Sequence, residues 1–141
     1  MVNLDKVLVE QVKSLKLVFK DSPQPELLLK IPNAHKEVKY HVDITTGEFT
    51  SLCPLNMSQP DYATLSIQYI PKEWCVELKS LKFYLVSFRM VPIFHEEVPA
   101  VISAALVNLL KPQYVEVIGN FSTRGGLDTK VRAVFGEPRF A

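Results

Sequence analysis

From Lys36 to Thr46 apolar and polar positions alternate, with Val38, Tyr40, Val42 and Ile44 set against Lys39, His41 and Asp43. A two-residue period predicts a half-buried strand, ended here by Gly47. The same period returns in Tyr62–Ile70, where Leu65, Ile67 and Tyr69 oppose Thr64, Ser66 and Gln68. The stretch between, Glu48 to Asp61, lacks a period and reads as a loop. From Ser80 to Arg89 the spacing changes: Leu81, Tyr84, Leu85 and Phe88 fall on one face of a helix that Pro92 must break. A second helix runs from about Glu96 to Leu110, with Pro99 in its first turn, where a missing N–H costs nothing. Lys111-Pro112 stops it. Tyr114–Ser122 and Leu127–Phe135 alternate again around a Gly125-Gly126 turn.

The N-terminal pattern is ambiguous. Leu4, Val7, Leu8, Val12, Leu15 and Val18 suit a helix over residues 3 to 19, yet Leu15, Leu17 and Phe19 also suit a strand after Lys13. Asp21-Ser22-Pro23-Gln24-Pro25 then breaks the chain. Residues 1–25 read as an N-terminal extension and 26–141 as a single domain. The order strand, strand, helix, helix, strand, strand makes an α+β domain: one antiparallel four-stranded sheet with two helices on one face. Such a sheet has two open edges, and joining sheets side by side into a ring removes them, so a homo-oligomer is expected.

Composition narrows the function classes. A net charge of +1 provides no general field for nucleic acid or an anionic membrane. No apolar run approaches the ~20 residues of a membrane span. Two cysteines make no disulfide framework, and three histidines show no zinc-ligand spacing to them, so no metal is expected. A cytoplasmic protein with free thiols follows.

Chemistry concentrates in two stretches. Glu77–Glu96 opens on a carboxylate beside Lys79 and Lys82 and closes on His95-Glu96. It reads as a groove holding a small heterocycle and a phosphate-bearing cofactor. Glu77 is either a solvated charge or an acceptor for ring N–H groups, with the lysines facing phosphates. His95-Glu96 either caps the second helix or relays protons. Cys53, before Pro54, is either a nucleophile or a small buried hydrophobe. Asp61 is a strand-start carboxylate or its proton donor. Cys75, between Trp74 and Val76, reads as packing. Arg124-Gly125-Gly126 is a hairpin turn, or an arginine and free N–H groups meeting an anion. No dinucleotide-binding fingerprint or phosphate loop is present.

Taken in order, these residues resemble the 7-cyano-7-deazaguanine reductases, the nitrile reductases of queuosine biosynthesis, in their short one-domain form. The resemblance is carried by Glu48-Phe49-Thr50-Ser51-Leu52-Cys53-Pro54, Gln59-Pro60-Asp61, Glu77-Leu78-Lys79-Ser80-Leu81-Lys82-Phe83-Tyr84, Ser87-Phe88-Arg89, Phe94-His95-Glu96 and Arg124-Gly125-Gly126. It implies the tunnelling fold, with subunits in rings and active sites between neighbours. It also implies that Cys53 attacks the nitrile to give a thioimide and that Asp61 protonates its nitrogen. NADPH then supplies two hydrides. Val76, Glu77, Leu78, His95 and Glu96 would bind the deazapurine, and Lys79, Lys82, Arg124 and Gly125 the cofactor. No direct contact with nucleic acid is implied. Two departures stand out. The Cys53–Asp61 segment is one residue longer than the family's, and Met90-Val91-Pro92 replaces a polar Asn-His-Gly-like stretch. Two other activities are compatible with the pattern: an amidinotransferase that adds ammonia to the nitrile base in tRNA, and a ring-forming subunit that binds ligand without catalysis.

Overall fold

The computed structural model describes residues 4–140; the start of the N-terminal extension, residues 1–3, and Ala141 lie outside them. The elements follow as α1 (Lys6–Lys13), β1 (Lys30–Pro32), β2 (Val42–Cys53), β3 (Asn56–Ile70), β4 (Trp74–Val76), α2 (Leu78–Val86), α3 (Glu97–Leu110), β5 (Tyr114–Arg124) and β6 (Leu127–Gly136). Four strands form an antiparallel sheet in the order β2-β3-β5-β6, while β1 and β4 pair separately. The expected order of two hairpins around a helix pair describes the main sheet only; α1 and the β1–β4 pair are additions to it.

The helix-facing side of the sheet is apolar because alternation puts it there. Leu65, Ile67 and Tyr69 of β3 and Val115 and Val117 of β5 are buried with Leu81, Tyr84, Leu85, Phe88, Ile102 and Leu106 from the helices. Each such side chain contributes about 1.5–3 kcal/mol on burial. The opposite side is polar, and across it Gln68 Nε2 donates to Asp43 Oδ1 at 2.8 Å. α2 starts where Glu77 caps it, and Ser87–Met90 tightens into one 3₁₀ turn before Pro92. α3 ends at Lys111, held left-handed at φ 48°, with Pro112 next.

Two expectations need correction, and one open reading is decided. Gly47 does not end its strand. The β2–β3 register skips between Thr46 and Phe49, so a bulge at Gly47-Glu48 absorbs the break in alternation and the ladder continues to Cys53. The stretch Glu48–Asp61 is therefore a long hairpin, not a loop, and Cys53 is the last residue of β2. At the other end the strand begins at Val42 rather than Lys36. Val42 pairs with Tyr69, one residue before β3 stops at Ile70, so residues 36–41 have no strand to pair with despite their alternation. Finally, the N-terminal helix covers only Lys6–Lys13, started by Asp5, whose carboxylate accepts from the N–H groups of Val7 and Leu8. Leu15–Phe19 forms no strand.

The hairpin tip overhangs the sheet. β5 pairs with β3 only from Ala63 onward, which leaves Pro60 where a missing N–H breaks no ladder to β5. The tip is held instead by the segment after the 3₁₀ turn. Leu52 N–H donates to Val91 O at 3.0 Å, and Ile93 N–H donates to Leu52 O at 3.1 Å. This parallel bridge uses the carbonyl before Pro92 and the amide after it. Pro92 fits because its own nitrogen is not called upon.

Candidate active site

One cleft gathers Cys53, Pro54, Asp61, Phe94, His95, Glu96 and Arg124. Three separate local features bring them together. At the hairpin tip, Leu52 pairs with Pro60 but Cys53 pairs with Asn56, so Met57–Gln59 bulge out of the ladder. Asn56 Oδ1 braces the bulge by accepting from Ser58 N–H at 3.3 Å and Ser58 Oγ at 2.8 Å. This bulge places Cys53 and Asp61 on the same cleft. The Val91–Ile93 bridge then delivers Phe94, His95 and Glu96 beside the tip. Lastly, the two-residue Gly125-Gly126 turn, at φ 57° and 78°, fixes Arg124 at the end of β5.

Asp61 is the hub. Only 4% of its side chain is exposed. Its Oδ1 forms an ion pair with Arg124 Nη1, and its Oδ2 lies 3.4 Å from His95 Nε2. The His95 ring is stacked on Phe121 with centroids 4.0 Å apart and planes 8° from parallel. A buried carboxylate is thus gripped on both oxygens by groups that carry or can carry positive charge, next to a partly exposed thiol. Phe121 was not singled out as a site residue by the sequence pattern. It reads there as one more inward strand position, and only the fold puts it under His95.

Other expected site residues lie elsewhere in the chain. Val76 is buried at the end of β4, with its N–H donating to Tyr69 Oη at 3.1 Å. Glu77 is the N-cap of α2: its Oε1 accepts from Lys79 N–H at 2.9 Å and its Oε2 from Ser80 N–H at 2.7 Å. The cleft that holds His95 and Glu96 does not include it, so the two ends of the expected groove are not on one cleft within a chain. Leu78 and Lys82 line a separate cleft of about 320 Å³ with Ile44, Thr46, Glu48, Phe49, Leu81, Leu85 and Val86. An apolar wall with a cation at its rim fits a flat heterocycle bearing a phosphate. Lys79 is on the exposed side of the same helix, and its Nζ donates to Val12 O of α1 at 3.0 Å. Arg124 and Gly125 sit at the Cys53 cleft rather than with these lysines. Cys75 packs partly buried, 3.5 Å from Tyr40 Oη. Burial and that thiol push the Tyr40 phenol up to about 12.

Fold and cleft define an α+β domain that brings a thiol, a buried carboxylate and an imidazole together at a hairpin tip. The apo crystal structure of an archaeosine synthase QueF-Like superposes on it with a TM-score of 0.64 at 26% identity, covering 70% of this chain and 96% of that one. The fold is the tunnelling fold. A family model described as QueF-like protein matches residues 60–139. The NADPH-dependent 7-cyano-7-deazaguanine reductase of Exiguobacterium sibiricum is 48% identical over 126 residues, 89% of this chain and 76% of the relative. That of Thermomicrobium roseum is 50% identical over 106 residues, 75% and 82% of the two chains. The chain belongs to the QueF-like family.

Proposed function

We propose that this protein is an NADPH-dependent oxidoreductase that reduces the nitrile 7-cyano-7-deazaguanine to 7-aminomethyl-7-deazaguanine. The observation that carries the reading is the convergence of Cys53, Asp61, His95 and Glu96 on one cleft in a chain at 48–50% identity to reductases of that activity. Identity to the archaeosine synthase is lower, at 26%, which favours reduction over ammonia transfer.

The chain's own groups account for the covalent step. Cys53 Sγ bonds to the nitrile carbon while one C–N π bond breaks, and the thiol proton passes through Asp61 to the nitrogen, giving a neutral thioimide. A nitrile resists hydride, whereas the thioimide is an activated C=N. Arg124 and His95 hold the Asp61 carboxylate at the cleft. Glu96 has an exposed side chain that makes no cap bond to α3, which leaves it available to the amino and ring N–H groups of the deazapurine. His95, pinned by Phe121, assists proton delivery. When bound, NADPH supplies the two hydrides that carry the thioimide carbon to the aminomethyl product. Lys79 and Lys82 are the groups to hold its phosphates.

Residues 26–141 act as one tunnelling-fold unit, with residues 1–25 as an extension. Val76, Glu77, Leu78 and the two lysines meet the Cys53 cleft across a subunit border, because β2 and β6 leave both sheet edges open for neighbouring copies.

The test combines the nitrile with the protein in the absence and presence of NADPH. The nitrile alone gives a thioimide absorbance and an intact-mass adduct that Cys53→Ala abolishes; with NADPH, two cofactors are consumed per product. Turnover that needs ammonia and consumes no NADPH would instead make the protein an amidinotransferase.

A further inference from the structure

Ser51 is wholly buried, yet its hydroxyl has no hydrogen-bond partner among the described residues. We propose that Ser51 is a further positioning residue for the reaction: its hydroxyl donates to the Asp61 carboxylate when Arg124 turns from Asp61 to a bound ligand. The assignment rests on the reading of Cys53 as the nucleophile and Asp61 as its proton carrier.

Four observations support it. The first is register. Ser51 of β2 pairs with Asp61 of β3, and paired residues of an antiparallel ladder project to the same face with Cβ atoms about 4.5–5.5 Å apart. A serine hydroxyl and an aspartate carboxylate together span that gap once their rotamers point at each other. The second is dryness. Phe49, two positions before Ser51, and Ala63, two after Asp61, lie on the same face in the core, so bulk water cannot serve in place of a protein donor. The third is the unequal exposure of the ion pair. The Arg124 side chain is 39% exposed at the mouth of the cleft, whereas Asp61 is buried beneath it. An arginine so placed can turn to an anionic ligand; the carboxylate cannot follow, and a buried charge stripped of a partner is strongly destabilised. His95 still faces Oδ2, but Oδ1 is vacated. The fourth is that nearby hydroxyls are committed: Thr123 to Asp128 and Ser58 to Asn56. Ser51 is free to answer. It does not line the cleft that holds Cys53 and Asp61, so it acts through the carboxylate and not on the substrate. Holding the carboxylate in one orientation is what a short proton transfer from Cys53 and onward to nitrogen requires.

Wild type, Ser51→Ala and Ser51→Thr are compared in turnover across pH at saturating nitrile and NADPH, in thioimide formation from the nitrile alone, and in denaturant unfolding. Ser51→Ala lowers turnover by about tenfold, with the KM values for nitrile and NADPH little changed. Thioimide formation from the nitrile alone, where Arg124 still holds Asp61, slows by less. The titratable and charged groups on the cleft are Cys53, Asp61, His95, Glu96 and Arg124. The substitution acts on Asp61: a carboxylate that has lost a donor takes up a proton more readily, so the acid limb of turnover moves to higher pH. The unfolding free energy does not fall, because the hydroxyl has no bond to lose in the ligand-free protein. Ser51→Thr keeps the hydroxyl and with it most of the turnover, which a purely structural lesion would not allow. Turnover at the wild-type rate in Ser51→Ala, or an acid limb that stays in place there, overturns the assignment. So does a folded Ser51→Thr as slow as Ser51→Ala, or a Ser51→Ala protein less stable than wild type, which would give the hydroxyl a structural role. If the added methyl keeps Ser51→Thr from folding, the pH profile of Ser51→Ala decides. No thioimide and no NADPH consumption in the unaltered protein removes the proposed reaction itself; an active unaltered protein with an unaffected Ser51→Ala removes only the role of Ser51.

Discussion

Tyr84 and Ser51 each bury a hydroxyl that finds no hydrogen-bond partner among the described residues. An unpaired buried hydroxyl costs about 1–3 kcal/mol. Tyr84→Phe keeps the ring and its edge-on contact with Phe88, 5.3 Å between centroids, and removes only the stranded group. It raises the unfolding free energy by about 1 kcal/mol in a denaturant titration. Burial also pushes the Tyr84 phenol well above its ordinary value. A raised folded-state value means stability is complete below the unfolded pKa of about 10 and drains away as pH climbs past it. Tyr84→Phe therefore loses stability less steeply than wild type above about pH 10. Phe121 gives the converse case: Phe121→Ala costs about 3–5 kcal/mol and slows thioimide formation, because His95 loses the ring it rests on. At this scale the sequence named most of the cleft through short motifs. It could not show that Arg124 meets Asp61, 63 positions away, since nothing local in either motif encodes the other.

Among the elements, α2 shows how one residue can be read two ways. Glu77 caps it with both carboxylate oxygens. Glu77→Ala lowers stability by about 1 kcal/mol, so any loss of activity in that variant has to be separated from loss of the helix start by measuring both. Pro92→Ala is close to silent in unfolding free energy, within about 0.5 kcal/mol, because the bridge to Leu52 already bypasses that nitrogen. A large loss would mean that the proline, rather than its neighbours, holds the tip. The two helices and the second hairpin were legible because long periodic runs with proline and glycine at their ends leave little choice. The first hairpin was legible only in its inner part, where Val42–Thr46 pairs with Leu65–Tyr69. Bulges at Gly47-Glu48 and Met57–Gln59 shift the period in mid-strand, and a pattern that changes phase looks like a loop. The β1–β4 pair escaped because three residues are too few to show a period.

At the scale of the whole molecule, the Cys53 cleft and the cleft along α2 are separate within one chain. If Val76–Lys82 of one copy completes the Cys53 cleft of the next, two inactive variants can repair each other. Cys53→Ala and Lys82→Ala, dissociated and reassembled together, should recover part of the reductase activity through borders where both halves are intact. Activity that stays absent in mixed assemblies of confirmed composition would place both halves within one chain. The molecule's edges fit such assembly: Val134 and Phe135 on β6 are exposed, an apolar edge that a lone domain would be expected to cover.

Cys53, the proposed nucleophile, rides on a hairpin tip that β5 does not reach, tied down by two backbone bonds between Leu52 and the Val91–Ile93 segment. Warming should accordingly silence the protein before it melts: turnover falls away at temperatures where circular dichroism still reports an intact fold, and amide exchange begins near Leu52 rather than in α3.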